Sequence, residues 1–171
     1  MMTDTELVGV AELDRGTAGD AAGLLRPVCA SGRWIERLVS GRPHGSLEAL
    51  IAASDAAIAA LGWPDIEEAL AAHPRIGDRA RGRDRESSWS RQEQAAVASA
   101  GAGVEAGLRA GNAEYEERFG HVFLICATGL PAAEMLSALR ARLGHDPAAE
   151  HEVVRAELRQ IVRLRLAKAF R

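Results

Sequence analysis

Lysine occurs once in this 171-residue chain, at Lys168, cysteine twice and aromatic residues seven times. Cys29 and Cys126 stand far apart in apolar surroundings and form no CxxC pair. That spacing lacks the usual thiol redox motif, and two reduced, buried thiols are the reading favoured over a disulfide or a nucleophile. Few aromatics, with only 17 Val plus Ile, argue against a sandwich or barrel, whose strands are filled by such side chains. The longest apolar runs, Ala56 to Leu61 and Val122 to Ala127, fall far short of the roughly 20 residues of a membrane helix. Met1 to Val10 carries two acids and no cationic, apolar or cleavage pattern of a secretory signal, and Lys168-Ala169-Phe170-Arg171 is no peroxisomal address. The expectation is a soluble, cytoplasmic protein.

What is abundant points to helices. Ala supplies 34 residues and Leu 18, the types that cost least in a helix. The length suits one domain, so the expected fold is all-α, a compact single-domain bundle of about eight helices over residues 1–171. Twenty Arg face 24 acids, for a net charge of -3, which does not resemble a basic nucleic-acid binder. Ala, Gly and Arg rich together are what a coding bias produces.

Punctuation by Gly and Pro divides the chain into short helices. A poorly defined first one is expected from about Asp20 to Cys29, and a second over Trp34 to Val39. Ser46 reads as an N-cap with Glu48 in the first turn, and Leu47, Leu50, Ile51, Ser54, Ile58 and Leu61 recur at helical spacing. Asp65 reads as the next cap, with Glu68 three residues on and Pro74 ending that helix. Arg75 to Trp89 holds five Arg, three acids and two Gly and reads as a long surface loop. Helical pattern resumes at Ser90 and again over Val104 to Phe119. Val122 to Ala127 is either a buried extended segment or the start of a core helix. Pro131 suits the first position of a helix carrying Met135, Leu136, Leu139 and Leu143, and the last helix runs from about Ala148 to Phe170.

Four places carry candidate chemistry. His73, before Pro74, is either a cation at a helix C-terminus or an acid-base group titrating near neutrality. Ser90-Arg91-Gln92-Glu93-Gln94 matches a capping box, and its polar density also suits a binding turn. Arg165 falls on the apolar stripe of the last helix. With Leu158 at zero, Val154, Ile161, Val162 and Arg165 all lie within about 60 degrees of it, at ~100 degrees per residue. A buried Arg demands a partner, which is either a structural carboxylate or a substrate oxyanion. The run Phe119 to Ala127 reads as core, and if extended its backbone N–H and C=O groups need partners. The five His show no HxxxH or HxH pair, and P-loop, GxGxxG and GxSxG motifs are absent.

Taken in order, Trp34-Ile35-Glu36, Arg42-Pro43, Ala72-His73-Pro74-Arg75-Ile76-Gly77, Ser90 to Gln94, Tyr115 to Ala127 (YEERFGHVFLICA) and Ile161 to Leu166 (IVRLRL) resemble the 2-oxo-4-hydroxy-4-carboxy-5-ureidoimidazoline (OHCU) decarboxylase family of urate degradation. The resemblance spans roughly Leu13 to Phe170. It implies an all-α, cofactor-free and commonly homodimeric enzyme that decarboxylates OHCU to (S)-allantoin. It further implies that His73 is catalytic, that Glu93 is its acidic partner and that Arg165 holds a substrate oxygen. Pro74, Ser90, Arg91, Gln92 and Gln94 then match substrate-binding positions, as does the stretch Phe123, Leu124, Ile125, Cys126 and Ala127. Arg79 to Ser88 follows no pattern of the family. A helical interaction domain that has lost the chemistry is the rival reading, disfavoured by the intact His73, Glu93 and Arg165. Nucleic-acid binding by the Arg-rich loop is weaker still, since Asp78, Asp84 and Glu86 offset its charge and only Trp89 offers a ring for stacking.

Overall fold

The computed structural model of the chain describes residues 7–78 and 85–171, and side chains in the second span from residue 88 onward. It contains nine α-helices among the described residues. They are α1 (Val10–Arg15), α2 (Ala18–Leu25), α3 (Gly32–Ser40), α4 (Leu47–Ala59), α5 (Trp63–Leu70), α6 (Arg85–Glu93), α7 (Ala102–Phe119), α8 (Ala132–Arg142) and α9 (Pro147–Ala169), with a 3₁₀ turn over Ala95–Ser99. Strand pairing among these residues is limited to one parallel bridge between Val8 and Phe170. The all-α expectation holds.

The chain forms two compact units, one of residues 1–65 with 159–171 and one of residues 66–158. In the first unit, short helices begin where side chains supply the missing acceptors. Thr17 Oγ1 accepts from the Asp20 amide and the Asp20 carboxylate accepts from the Thr17 amide, a full capping box. Ser31 and Ser46 cap α3 and α4 by accepting from the amides of Trp34 and Ala49. Trp34, fully buried, donates from Nε1 to Ser54 Oγ at 3.0 Å, so a core Trp satisfies its polar end against a Ser of α4. Arg42 donates to three carbonyls, those of Val39, Leu13 and Gly16, which secures the turn between α3 and α4 against the end of α1. The Asp14 carboxylate, which burial would raise, is held below its ordinary pKa by the amides of His44 and Gly45.

In the second unit, Ile76, Val97, Leu108, Tyr115, Phe123, Ile125, Met135 and Leu139 form one buried core. Two glycines on α7 let α8 approach closely: a Cβ at Gly107 would lie 2.8 Å from Leu136 Cδ2, and one at Gly111 2.5 Å from Leu139 Cδ2. Gly120, at φ +76°, ends α7 in the left-handed conformation that Gly adopts without strain.

Four local expectations change. Helix α6 begins at Arg85, so Ser90 lies inside it and is no N-cap; its carbonyl accepts from the Gln94 amide at 3.2 Å. The stretch 75–89 is accordingly not one surface loop: Ile76 and Trp89 are each 5% exposed. The Arg79, Arg81, Arg83 and Asp84 part of that reading lies outside the described residues. Asp65 sits inside the first turn of α5 and accepts from the Gly62 amide at 3.1 Å, the reverse half of a capping box. Pro131 directly precedes α8 as its N-cap.

Candidate active site

Helix α5 ends at Leu70, and the chain turns so that the His73 amide donates to the Leu70 carbonyl at 2.9 Å. His73 and Pro74 are each half-buried. A tight turn follows: the Asp78 amide donates to the Arg75 carbonyl at 3.0 Å, with Gly77 at φ +94°. A positive φ at the third position is what a type II turn demands, and Gly meets it without strain.

Three side chains hold this turn, two from α7 and that of Gln94 just after α6. The Arg75 guanidinium pairs with both oxygens of Glu116, at 2.5 and 2.7 Å, and the pair holds the guanidinium above its ordinary pKa. The Ile76 carbonyl accepts from Asn112 Nδ2 at 2.8 Å, and the Gly77 amide donates to Gln94 Oε1 at 3.0 Å. Gln94 thus commits its carbonyl oxygen to the turn after His73, linking the two polar motifs of the sequence.

On α6, Ser90 is buried, Arg91 and Gln92 are exposed, and Glu93 is half-buried as the last residue of the helix. Ser90, Arg91 and Gln94 line an open cavity of about 1090 Å³ together with Arg75, Ile76 and Gly77 of the turn and Asn112 and Glu116 of α7. His73, Glu93 and Phe123 to Ala127 are outside that lining.

Phe123 to Ala127 lies outside any helix or strand, and Phe123, Leu124, Ile125 and Ala127 are buried. Two of its backbone groups are met by side chains: Arg142 Nη1 donates to the Leu124 carbonyl at 2.7 Å, and the Cys126 amide donates to Glu157 Oε2 at 2.7 Å. Beneath it lies a buried polar network. Glu150, fully buried, accepts from Arg142 Nε at 2.8 Å and from the Tyr115 hydroxyl, and its second oxygen lies 2.8 Å from His145 Nδ1. The Arg142 guanidinium stacks over Phe123, 4.5 Å from the ring centroid. Burial alone would raise Glu150, yet the Arg142 and Tyr115 hydrogen bonds hold it below its ordinary value. Burial, with the adjacent carboxylate, pushes the Tyr115 phenol well above its own. Burial also lowers the His121 imidazole.

Arg165 belongs to the first unit, where it is fully buried and its Nη1 lies 3.5 Å from the Val28 carbonyl. Val154, Leu158, Ile161, Val162, Arg165 and Leu166 are all buried, as the helical angle requires, whereas Arg163 is exposed and pairs with Asp55.

Asn112, Glu116, Arg142 and Glu157 are the supporting residues that the sequence reading missed. Asn112 carried the same signal as Arg165, a polar residue on an apolar stripe between Leu108 and Tyr115 of α7. The other three act across distant parts of the chain, at separations that no local pattern encodes.

A family model described as OHCU decarboxylase matches residues 15–167. A "Uric acid degradation bifunctional protein TTL" of Arabidopsis thaliana is 33% identical over 83% of this chain, which spans 45% of that protein. A "2-oxo-4-hydroxy-4-carboxy-5-ureidoimidazoline decarboxylase" of Amia calva is 35% identical, over 82% of this chain and 78% of that one. Among solved structures, an OHCU decarboxylase crystallised in the presence of (S)-allantoin superposes with a TM-score of 0.74 at 27% identity, covering 90% of this chain and 97% of that one.

Proposed function

This chain belongs to the OHCU decarboxylase family, and from that membership we propose that it is a carboxy-lyase converting OHCU to (S)-allantoin in urate degradation. In this substrate one ring carbon carries both a hydroxyl and a carboxylate, and its neighbour carries the ureido group on a C=N. As the bond to the carboxylate breaks, CO₂ leaves and the electron pair flows into the adjacent C=N, so the ring itself takes up the charge. The product forms when the ring nitrogen that received the electron pair takes up a proton from solvent, the hydroxyl proton is lost and a proton reaches the ureido-bearing carbon; delivery to one face sets the (S) configuration.

The work left to the protein is orientation and proton transfer. His73 takes the hydroxyl proton, oriented by Glu93. Arg165 holds an anionic oxygen of the substrate through its planar fork. Ser90, Arg91, Gln92 and Gln94 hold the ureido and ring amides, and Pro74 with Phe123 to Ala127 shape the wall around the ring. The observation that most supports this reading is the setting of His73: a half-buried imidazole heading a turn in which residues 75, 76 and 77 are each tied by a different side chain. The resemblance adds a homodimer to the same proposal.

Replacing His73 with Ala tests the assignment. Turnover of freshly generated OHCU is expected to fall by about 10²-fold to 10⁴-fold, the usual worth of a positioned acid-base group, with an unchanged melting curve. Near-normal turnover in a folded variant would remove His73 from the chemistry.

A further inference from the structure

The three ties on the turn after His73 differ in their exposure to water. The Arg75–Glu116 pair is open to solvent on the Arg75 side, where the side chain is 54% exposed. Gln94 meets Gly77 at an exposed position. The bond from Asn112 to the Ile76 carbonyl is buried at both ends: Asn112 is 4% exposed and Ile76 5%. Water competes with the first two and is kept from the third, so the third is the one whose loss nothing replaces.

Asn112 also occupies an expensive place. It stands on the buried stripe of α7 between Leu108 and Tyr115, where an apolar residue of the same size would pack without a polar group to satisfy. Its Nδ2 is used, whereas its Oδ1 is buried with no hydrogen-bond partner among the described residues. A side chain that leaves one half of its amide unsatisfied contributes through the other half, and among the described residues that half reaches only the Ile76 carbonyl. Pro74 stiffens the link between Ile76 and His73 because its ring fixes φ.

From this we infer that Asn112 is a positioning residue for His73, acting through the Ile76 carbonyl. The inference rests on the reading of His73 as the proton-transfer group. Holding Ile76 fixes the turn, and the fixed turn confines the imidazole to one orientation, which matters for the rate of proton transfer more than for the affinity of the substrate.

Two variants of nearly the same shape separate this role from simple packing. Asn112→Leu removes both the donor and the unsatisfied oxygen; Asn112→Asp keeps the shape and, assayed at a pH where its carboxyl is ionised, removes the donor. Both are expected to melt cooperatively and to lose about tenfold or more in kcat on OHCU, with KM changed less than twofold. Combined with His73→Ala, neither is expected to lower the residual rate further, because a residue acting only through His73 has nothing left to position. In protein carrying ¹³C-labelled histidine, the His73 ring signal, assigned by its absence in His73→Ala, is expected to be single in the parent and broadened or doubled in both variants.

Wild-type kcat with a single His73 signal in either folded variant would overturn the inference. So would a loss that persists undiminished in the His73→Ala background, and so would failure of both variants to fold, which would make Asn112 a folding residue. If the parent protein does not turn over OHCU, the functional reading fails, and the ring signal alone then decides whether Asn112 orders His73.

Discussion

At the scale of single residues, the informative signal was polarity in the wrong place. Arg165 sits on the apolar stripe of α9, and the structure buries it completely. Asn112 sits on the stripe of α7 and is equally telling, though a neutral amide attracts less notice than a charge. An Arg on a buried stripe is explained by what its fork holds, and a Lys in the same place presents a point charge on a flexible stem. Arg165→Lys is therefore expected to remain folded and to lose about tenfold to hundredfold in kcat/KM, the worth of one charge-assisted hydrogen bond of ~1.5–3 kcal/mol. Steady-state kinetics with a melting curve checks this. Wild-type kinetics in the Lys variant would mean that Arg165 serves packing alone. Gln94 shows the limit of residue-by-residue reading: its place in a polar motif was visible, but its bond to the Gly77 amide across 17 positions was not.

Among the secondary elements, α3, α4, α7 and α9 were legible within two residues or so because their ends are written locally, in Ser31, Ser46, Gly120 and Pro147. Helix α6 was not. Its sequence, RESSWSRQE, has no apolar period, and Trp89 is its one buried large apolar side chain among those described. Neither could the non-helical run Phe123 to Ala127 be told from a helix start, since the side chains that bond its backbone, Arg142 and Glu157, reach in from α8 and α9. The approach of α7 to α8 depends on Gly107 and Gly111, spaced one turn apart on one face, and mid-helix glycines in a sequence this rich in Ala read as noise. Gly111→Val would drive a branched side chain into Leu139, whose Cδ2 already lies 2.5 Å from the Cβ position. The expected cost is about 1–3 kcal/mol from overpacking, measured as a lower midpoint in urea unfolding. An unchanged midpoint would show that the helices have slack at this contact.

For the molecule as a whole, composition correctly announced helices, and motif order announced the family, while the balance of forces beneath the site could be seen only in three dimensions. The buried network of Glu150, Arg142 and Tyr115 makes stability depend on acid in a defined direction. Glu150 has a folded pKa below its ordinary 4.5, so the unfolded chain binds the proton first and stability is lost as pH falls through and below that value. His121, held neutral by burial below its ordinary 6.5, adds a gentler loss that begins as pH falls past 6.5. The melting temperature is expected to decline slowly below pH 6.5 and steeply below 4.5. In Glu150→Gln the lower decline is expected to be shallower, at a cost near neutrality of about 3–5 kcal/mol for leaving Arg142 without its buried partner. An equally steep acid decline in that variant would place the acid sensitivity elsewhere. The central claim, that this helical scaffold decarboxylates OHCU with control over one ring face, is tested most directly by circular dichroism during the reaction. OHCU is generated freshly by enzymatic oxidation of urate and hydrolysis of the product, and the protein is then added. The expected result is rapid growth of the (S)-allantoin signal, against slow formation of optically inactive allantoin without protein; the same slow, racemic course with and without the protein would contradict it.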